Sequence, residues 1–166
     1  MIIELTSIVE RPVSLNETIN DIDLELEDAH IVGNVKFNGE KVRIDGKAHV
    51  RGNANGEVEI ACTRCNTAVK RRFDIAFDDV FVDVPLADGE EAVEEIDLDE
   101  SYVENGEIDL GEVVREQILL DLPEQVYCSD DCKGLCPKCG SNLNLIDCNC
   151  NFNEIDPRWA ALKGLN

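Results

Sequence analysis

The chain has 166 residues, 43% of them hydrophobic, which is enough for one domain with a buried core. It carries 36 acidic against 15 basic residues, a formal charge of −21, and no stretch approaches the ~18 consecutive apolar residues of a membrane-spanning helix. This composition excludes a helical membrane span and a disordered acidic chain, and the total charge weighs against a simple nucleic-acid binder.

Ile2, Ile3, Leu5, Ile8 and Val9 predict an opening strand. The first residues, MIIELTSIVERP, lack the basic start and apolar run of a secretory signal, so a cytoplasmic chain with reduced thiols is expected. Ile22, Leu24 and Leu26 alternate with Asp23, Glu25 and Glu27, as in a half-buried strand. Residues 31–37 predict another strand, and Asn38-Gly39 is a hairpin-turn signal. Over residues 41–51 a strand period of two places Lys41, Arg43, Lys47, His49 and Arg51 on one face and Val42, Ile44, Ala48 and Val50 on the other. Residues 52–56 predict a turn, residues 57–62 a strand, and residues 67–84 a long strand marked by Val69, Phe73, Ile75, Phe77 and Phe81.

Residues 86–106 read as an acidic, mobile turn region. Asp109 and Glu112 form a capping box for a helix whose apolar stripe is Leu110, Val113, Val114, Ile118 and Leu122, ending at Pro123. Asp156-Pro157 predicts a last short helix that carries Trp159 and Leu162. There is no evident internal repeat. The expected fold class is α+β: a mostly antiparallel β-sheet or partial barrel, one main amphipathic helix, and a cysteine-rich zinc-binding C-terminal segment. Residues 1–124 form the β-rich body and 125–166 a tail packed on it.

Charge is unevenly placed. Residues 74–124 hold nineteen acidic residues and one basic residue, whereas residues 36–72 hold nine basic residues against four acidic ones. The acidic segment is either a solvated face or a surface that attracts basic proteins. Within the basic segment, Lys41, Arg43, Lys47, Arg51, Arg64, Lys70, Arg71 and Arg72 are candidate RNA contacts.

Eight cysteines fall into four short pairs: Cys62/Cys65, Cys128/Cys132, Cys136/Cys139 and Cys148/Cys150. Each spacing lets two thiolates reach one tetrahedral metal from a tight turn, so eight ligands fill two closed, structural zinc sites. Disulfides would suit a secreted framework, which neither the N-terminal residues nor the cysteine share supports, and Cys62/Cys65 as a redox pair activated by Arg64 would leave three pairs unexplained. Loop-closure entropy favours Cys136, Cys139, Cys148 and Cys150 as one site and Cys62, Cys65, Cys128 and Cys132 as the other. The rival joins Cys62/Cys65 to Cys136/Cys139 as a two-knuckle ribbon. The two histidines, His30 and His49, lie near no cysteine pair or nucleophile motif, and phosphate loops and hydrolase motifs are missing. These features point to a non-enzyme.

The residues from Cys62-Thr63-Arg64-Cys65 through Glu107–Leu110 and Leu122-Pro123 to the tail resemble the YceD family. The tail contributes Cys128, Cys132, Cys136-Pro137-Lys138-Cys139-Gly140, Leu143-Asn144, Cys148, Cys150 and Asp156-Pro157-Arg158. The resemblance is clear over about residues 60–166. It implies a role in accumulation of the large-subunit (23S) ribosomal RNA, hence ribosome biogenesis. Two modes of action fit: binding rRNA or pre-ribosomal components, or acting as an acidic chaperone or adaptor for a basic ribosomal protein.

Overall fold

The computed structural model describes residues 1–83, 100–103 and 105–150. Its elements are β1 (Ile2–Glu4), a 3-10 turn (Leu5–Ser7), β2 (Val13–Ile19), β3 (Ala29–Ile31), β4 (Val35–Ile44), β5 (Lys47–Ala61), β6 (Ala68–Asp83), β7 (Glu100–Val103), β8 (Glu107–Asp109) and α1 (Leu110–Asp121). The sheet runs β2-β4-β5-β6-β7, with β3 pairing the far half of β5, and a separate ribbon joins β1 to β8. All pairs are antiparallel except β6 with β7. Because β2 and β7 lie at opposite ends, the sheet is open and not a barrel. The predicted short helix at Asp156, with Trp159, falls outside the described residues.

The long central strands follow from their composition. In β6, Phe73, Ile75, Phe77 and Phe81 recur at even spacings on the face that meets α1, and Phe73 and Phe81 are buried. Opposite them on the same face lie Val50, Ala54 and Phe37, all fully buried, and the Phe37 and Phe77 rings stack with centroids 5.5 Å apart. α1 covers this face with Leu110, Val113, Val114 and Ile118, the predicted stripe. Asp109 caps its start as expected, with the Gly111 N–H donating to Asp109 Oδ1 at 2.9 Å, whereas Glu112, the expected partner of a capping box, accepts from Arg115 at 2.7 Å. Leu122 is extended ahead of Pro123, which stops the helix. The opposite, open sheet face carries the exposed Ser14, Asn16, Thr18, Lys36 and Asn38.

Five local expectations are corrected. Asn38-Gly39 is not a turn but the middle of β4. Gly39 faces Gly52 across the β4–β5 ladder, and the Phe37 ring lies over both. A Cβ on Gly39 would stand 2.3 Å from the Arg51 carbonyl oxygen and 2.6 Å from Phe37 Cζ. The glycines are there for close approach, so residues 52–56 are also strand and not turn. The reversal occurs instead at Asp45-Gly46, where φ is 51° and 84°. This two-residue turn needs two left-handed residues, which Asp-Gly tolerates.

That turn changes the basic face. Lys41 lies opposite Val50 and Arg43 opposite Ala48, whereas Arg51 lies opposite Glu40 and His49 opposite Val42. Lys41 and Arg43 therefore point to the α1 side, and Lys47, His49 and Arg51 to the open side. The period-two reading fails because residues 41–51 are two strands.

Residues 22–27 are no strand. Asp21 and Glu25 take φ of 56°, and the Glu25 N–H donates to Asp23 Oδ1 at 2.9 Å, an Asx turn that plugs Leu24 into the core at 2% exposure. Finally, β7 lies within the segment expected to be turn-like, paired in parallel with Val80–Asp83 of β6. Gly39→Ala should cost about 1–3 kcal/mol in denaturant unfolding, because its Cβ meets backbone. Asn38→Ala should stay within about 0.5 kcal/mol. An Asn38→Ala loss as large as that of Gly39→Ala would restore the turn at this position, because an Asn-Gly turn holds both residues left-handed.

Candidate metal centres

The eight thiols gather into two groups of four, Cys62, Cys65, Cys128 and Cys132 in one and Cys136, Cys139, Cys148 and Cys150 in the other. Within each group all four sulfurs lie within 4.8 Å of one another. The favoured pairing is thus the one the fold brings together, and the two-knuckle ribbon is not formed.

The first group is built on the β5–β6 connection. Strand pairing runs to Ala61 and Ala68, and the six residues between them curl into a knuckle. The Cys62 N–H donates to the Thr67 carbonyl at 2.8 Å, and the Asn66 N–H donates back to the Cys62 carbonyl at 2.9 Å. Asn66 takes φ of 57°. The chain leaving α1 is laid against this knuckle by two bonds. The Thr63 N–H donates to the Val126 carbonyl at 2.8 Å, and the Val126 N–H donates to Thr63 Oγ1 at 2.9 Å. Cys128 and Cys132 then arrive opposite Cys62 and Cys65, with Sγ separations of 3.8 Å for Cys62–Cys132 and 3.5 Å for Cys65–Cys128.

The second group repeats the first. The Cys136 N–H donates to the Ser141 carbonyl at 2.8 Å, and the Gly140 N–H donates to the Cys136 carbonyl at 2.8 Å, with φ of 72° at Gly140. A hydroxyl follows each second cysteine at the same spacing: Cys65 Sγ lies 3.2 Å from Thr67 Oγ1, and Cys139 Sγ lies 3.2 Å from Ser141 Oγ. The chain therefore does contain a short repeat, Cys62-Thr-Arg-Cys-Asn-Thr67 and Cys136-Pro-Lys-Cys-Gly-Ser141. Its signal is a left-handed residue and then a hydroxyl after the second cysteine. A search by cysteine spacing alone passes over Thr67 and Ser141.

The donor set fits a soft divalent cation. A tetrahedral ion with metal–sulfur bonds of about 2.3 Å would set its sulfurs about 3.8 Å apart, close to the observed separations. The electrostatics agree. Burial pushes the Cys62 thiol up, but N–H groups of Arg64, Cys128 and Cys65 outweigh it and bring it down to about 6. Cys128 is pushed up to about 12, chiefly by its contact with Cys65. In the second group the Ser141 hydroxyl and N–H bring Cys139 down to about 6, while the Cys139 and Cys136 sulfurs push Cys150 up to about 12. In each group the two knuckle thiols are shifted toward the thiolate, Cys62 with Cys65 and Cys136 with Cys139, whereas Cys128, Cys148 and Cys150 resist ionising beside them. A bound dication removes that conflict. Each group of four could hold a metal ion.

The basic residues expected to meet RNA are not gathered. Lys41 Nζ donates to Ser7 Oγ at 2.8 Å. Arg43 donates to the carbonyls of Leu5, Ile8 and Gly46, fastening the 3-10 turn to β4. Lys47 pairs with Glu100, and Arg51 reaches one Glu40 oxygen through two nitrogens at 2.9 and 2.6 Å. Arg64 donates to the Cys132 carbonyl at 3.1 Å and lies over the Tyr127 ring at 4.3 Å. Lys70 stands 3.9 Å from Glu57. Arg71 and Arg72 are exposed and lie on opposite faces of β6, with no ion pair among the described residues. His49 faces Asp78 at 3.0 Å and His30 faces Glu59 at 3.4 Å.

Cys139→Ser should, with metal in excess, speed amide exchange over residues 134–150 while β5 and β6 stay protected. The local grouping is overturned if protection around Cys62 collapses as well.

Comparison with known proteins places the chain. The family described as large ribosomal RNA subunit accumulation protein YceD matches residues 50–166. The uncharacterized protein YlbN of Bacillus subtilis (strain 168) is 32% identical over 132 residues, 75% of this chain and 73% of that protein. An uncharacterized protein of Mycobacterium tuberculosis (strain H37Rv) is 35% identical over 101 residues, 61% of this chain but 47% of its own length. The chloroplastic YCED homolog 1 of Arabidopsis thaliana, a large ribosomal RNA subunit accumulation protein, is 37% identical over 59 residues, 36% of this chain and 18% of that protein. No solved structure matches. The family match takes in both cysteine groups, the long β6 strand and α1, and the chain belongs to the YceD family of large ribosomal RNA subunit accumulation proteins.

Proposed function

We propose that the protein supports accumulation of large-subunit rRNA by binding a basic protein of the assembling particle, without catalysis, while two structural zinc ions hold its tail in place. The family supports the ribosomal role. One feature carries the choice of partner: a cleft of about 400 Å³ between β7 and α1. Phe81, Tyr102, Val103 and Ile108 supply apolar and aromatic surface, and Glu107, Asp109, Glu112 and Glu116 stand around it. Such a site takes the aliphatic stem of Lys or Arg on its floor and the charged head at its rim. The pairing of Arg51 with Glu40 and of Lys47 with Glu100 weakens the case for a cationic RNA groove.

A second reading, direct RNA contact, has its own support on the open sheet face. A hollow of about 640 Å³ there is lined by Lys36 and Arg72 together with Asn34, Asn53 and Asn55. Amides at that spacing can meet base edges while the cations meet phosphates.

Affinity capture from cell extract separates the two. Under the first reading, basic large-subunit proteins are retained, resist RNase and are released by high salt. Glu107→Gln with Glu116→Gln should then abolish capture at little cost in stability, since both side chains are exposed. Capture that is lost on RNase treatment, or through Lys36→Gln with Arg72→Gln, would transfer the function to RNA. Depletion should lower large-subunit rRNA relative to small-subunit rRNA, and an unchanged ratio would remove the ribosomal assignment. Elemental analysis of protein purified without added metal should find about two zinc ions per chain. A value near zero with eight free thiols would overturn the zinc reading.

A further inference from the structure

The two cysteine groups touch each other through one loop. Residues 140–147 connect Cys139 to Cys148 and so belong to the distal group, yet their side chains reach the proximal one. Asn144 Nδ2 donates to Cys132 Sγ at 3.4 Å. The same side chain is oriented from both ends: its Oδ1 accepts from the Lys133 N–H at 2.8 Å, and Nδ2 also donates to Asn142 Oδ1 at 2.9 Å. Asn142 Nδ2 in turn donates to Thr67 Oγ1 at 3.4 Å, the hydroxyl that lies 3.2 Å from Cys65 Sγ. The loop is docked by its backbone as well, with the Leu143 N–H on the Gly134 carbonyl at 2.9 Å and the Leu135 N–H on the Arg64 carbonyl at 3.0 Å.

These contacts have a direction. The proximal group is mostly buried and is anchored in the sheet, where Cys62, Cys65 and Cys132 are 0, 4 and 5% exposed. In the distal group Cys139 is exposed and Cys148 and Cys150 are half-buried, so that group depends on its own loop. A thiolate bound to a metal keeps excess negative charge, and an N–H aimed at it holds the ligand in place and lowers the metal's off-rate. Asn144 can do this only while the 140–147 loop is fixed, and closing Cys136, Cys139, Cys148 and Cys150 around an ion fixes it.

We propose that the two metal sites are thermodynamically coupled through Asn144: metal in the distal group orders the loop that donates to Cys132, and thereby tightens the proximal site. Asn144 is a positioning residue, not a ligand. The proposal rests on the metal reading above. By linkage, proximal metal tightens the distal site by the same factor.

The test is cobalt titration of the full-length metal-free protein, followed by chelator competition, on wild type and variants. Asn144→Ala should weaken the proximal site about 10- to 100-fold and move its thiolate-to-cobalt absorption band to lower energy. Asn144→Asp keeps the acceptor for Lys133 but replaces the donor facing sulfur with a carboxylate, and should weaken the proximal site at least as much. Cys148→Ser with Cys150→Ser, which disables the distal site, should weaken the proximal site by the same factor. Adding Asn144→Ala to that variant should bring no further loss, because the donor is already misplaced. A proximal site equally tight and spectrally unchanged in the distal-site variant and in both Asn144 variants would overturn the coupling while leaving two metal sites. Failure of wild type to bind cobalt at either group would instead overturn the metal reading along with it.

Discussion

Four sulfurs held within 4.8 Å of one another are the constraint on which the rest of this molecule turns. As thiols they form an indifferent cluster, and as thiolates they repel. The backbone has already committed part of each group to the anion: N–H groups from Arg64, Cys128 and Cys65 converge on Cys62, and the Ser141 hydroxyl and N–H support Cys139. The proximal cluster is also the tie between distant parts of the chain. Cys62 and Cys65 end the β5–β6 ladder, whereas Cys128 and Cys132 lie beyond α1. Neutralising that cluster fixes where the chain leaving α1 must go. That chain also carries Val126, 3% exposed, into the main core.

The cysteine pairs and their grouping were legible because the metal-site argument needs only spacing and loop length. α1 was legible because its cap, its stripe and its terminating proline agree with one another. The errors share a cause. Glycine favours turns in a sequence reading, but in this sheet Gly39, Gly52 and Gly56 make room for aromatic rings. Phe37 covers the first two, and a Cβ on Gly56 would stand 2.7 Å from Phe73 Cζ. Whether a glycine bends a chain or admits a neighbour depends on residues far away in sequence. Residues 22–27 failed for a related reason. Their alternation is that of a strand, but with left-handed residues at Asp21 and Glu25 only Leu24 need be buried.

Misplacing one turn had a functional consequence. With the reversal at Asp45-Gly46, the basic residues of 41–51 divide between the two faces, and most have local partners. Arg43 joins three backbone carbonyls, which makes it a structural clasp for the N-terminal segment. Arg64 serves the proximal cluster by holding the Cys132 carbonyl. Basic residues concentrated in sequence are thus spread in space and largely consumed by the fold. The acidic excess is not consumed in this way. Carboxylates outnumber cations by more than two to one, 36 against 15, so the chain has too few cations to pair them all. An electrostatic surface of that kind attracts cationic polypeptides from a distance and repels polyphosphates, except where a local group of cations stands apart from it.

The repeated knuckle explains why the cysteines gather into two groups and not one. Each knuckle presents two sulfurs, a left-handed residue and a hydroxyl, and each needs a second pair of sulfurs to close it. The proximal knuckle is carried by the sheet and receives its second pair from a chain already laid down by Val126 and Thr63. The distal knuckle is carried by no strand among the described residues and is tied to the proximal one by the Leu135 N–H on the Arg64 carbonyl at 3.0 Å. Its second pair, Cys148 and Cys150, comes after a loop that reaches the β5–β6 knuckle through Asn142 on Thr67 and the proximal cluster through Asn144 on Cys132. The distal site therefore cannot be an independent appendage. Those two asparagines lie against the proximal cysteines and their knuckle, and together with the Leu143 and Leu135 N–H bonds they hold the distal loop in place.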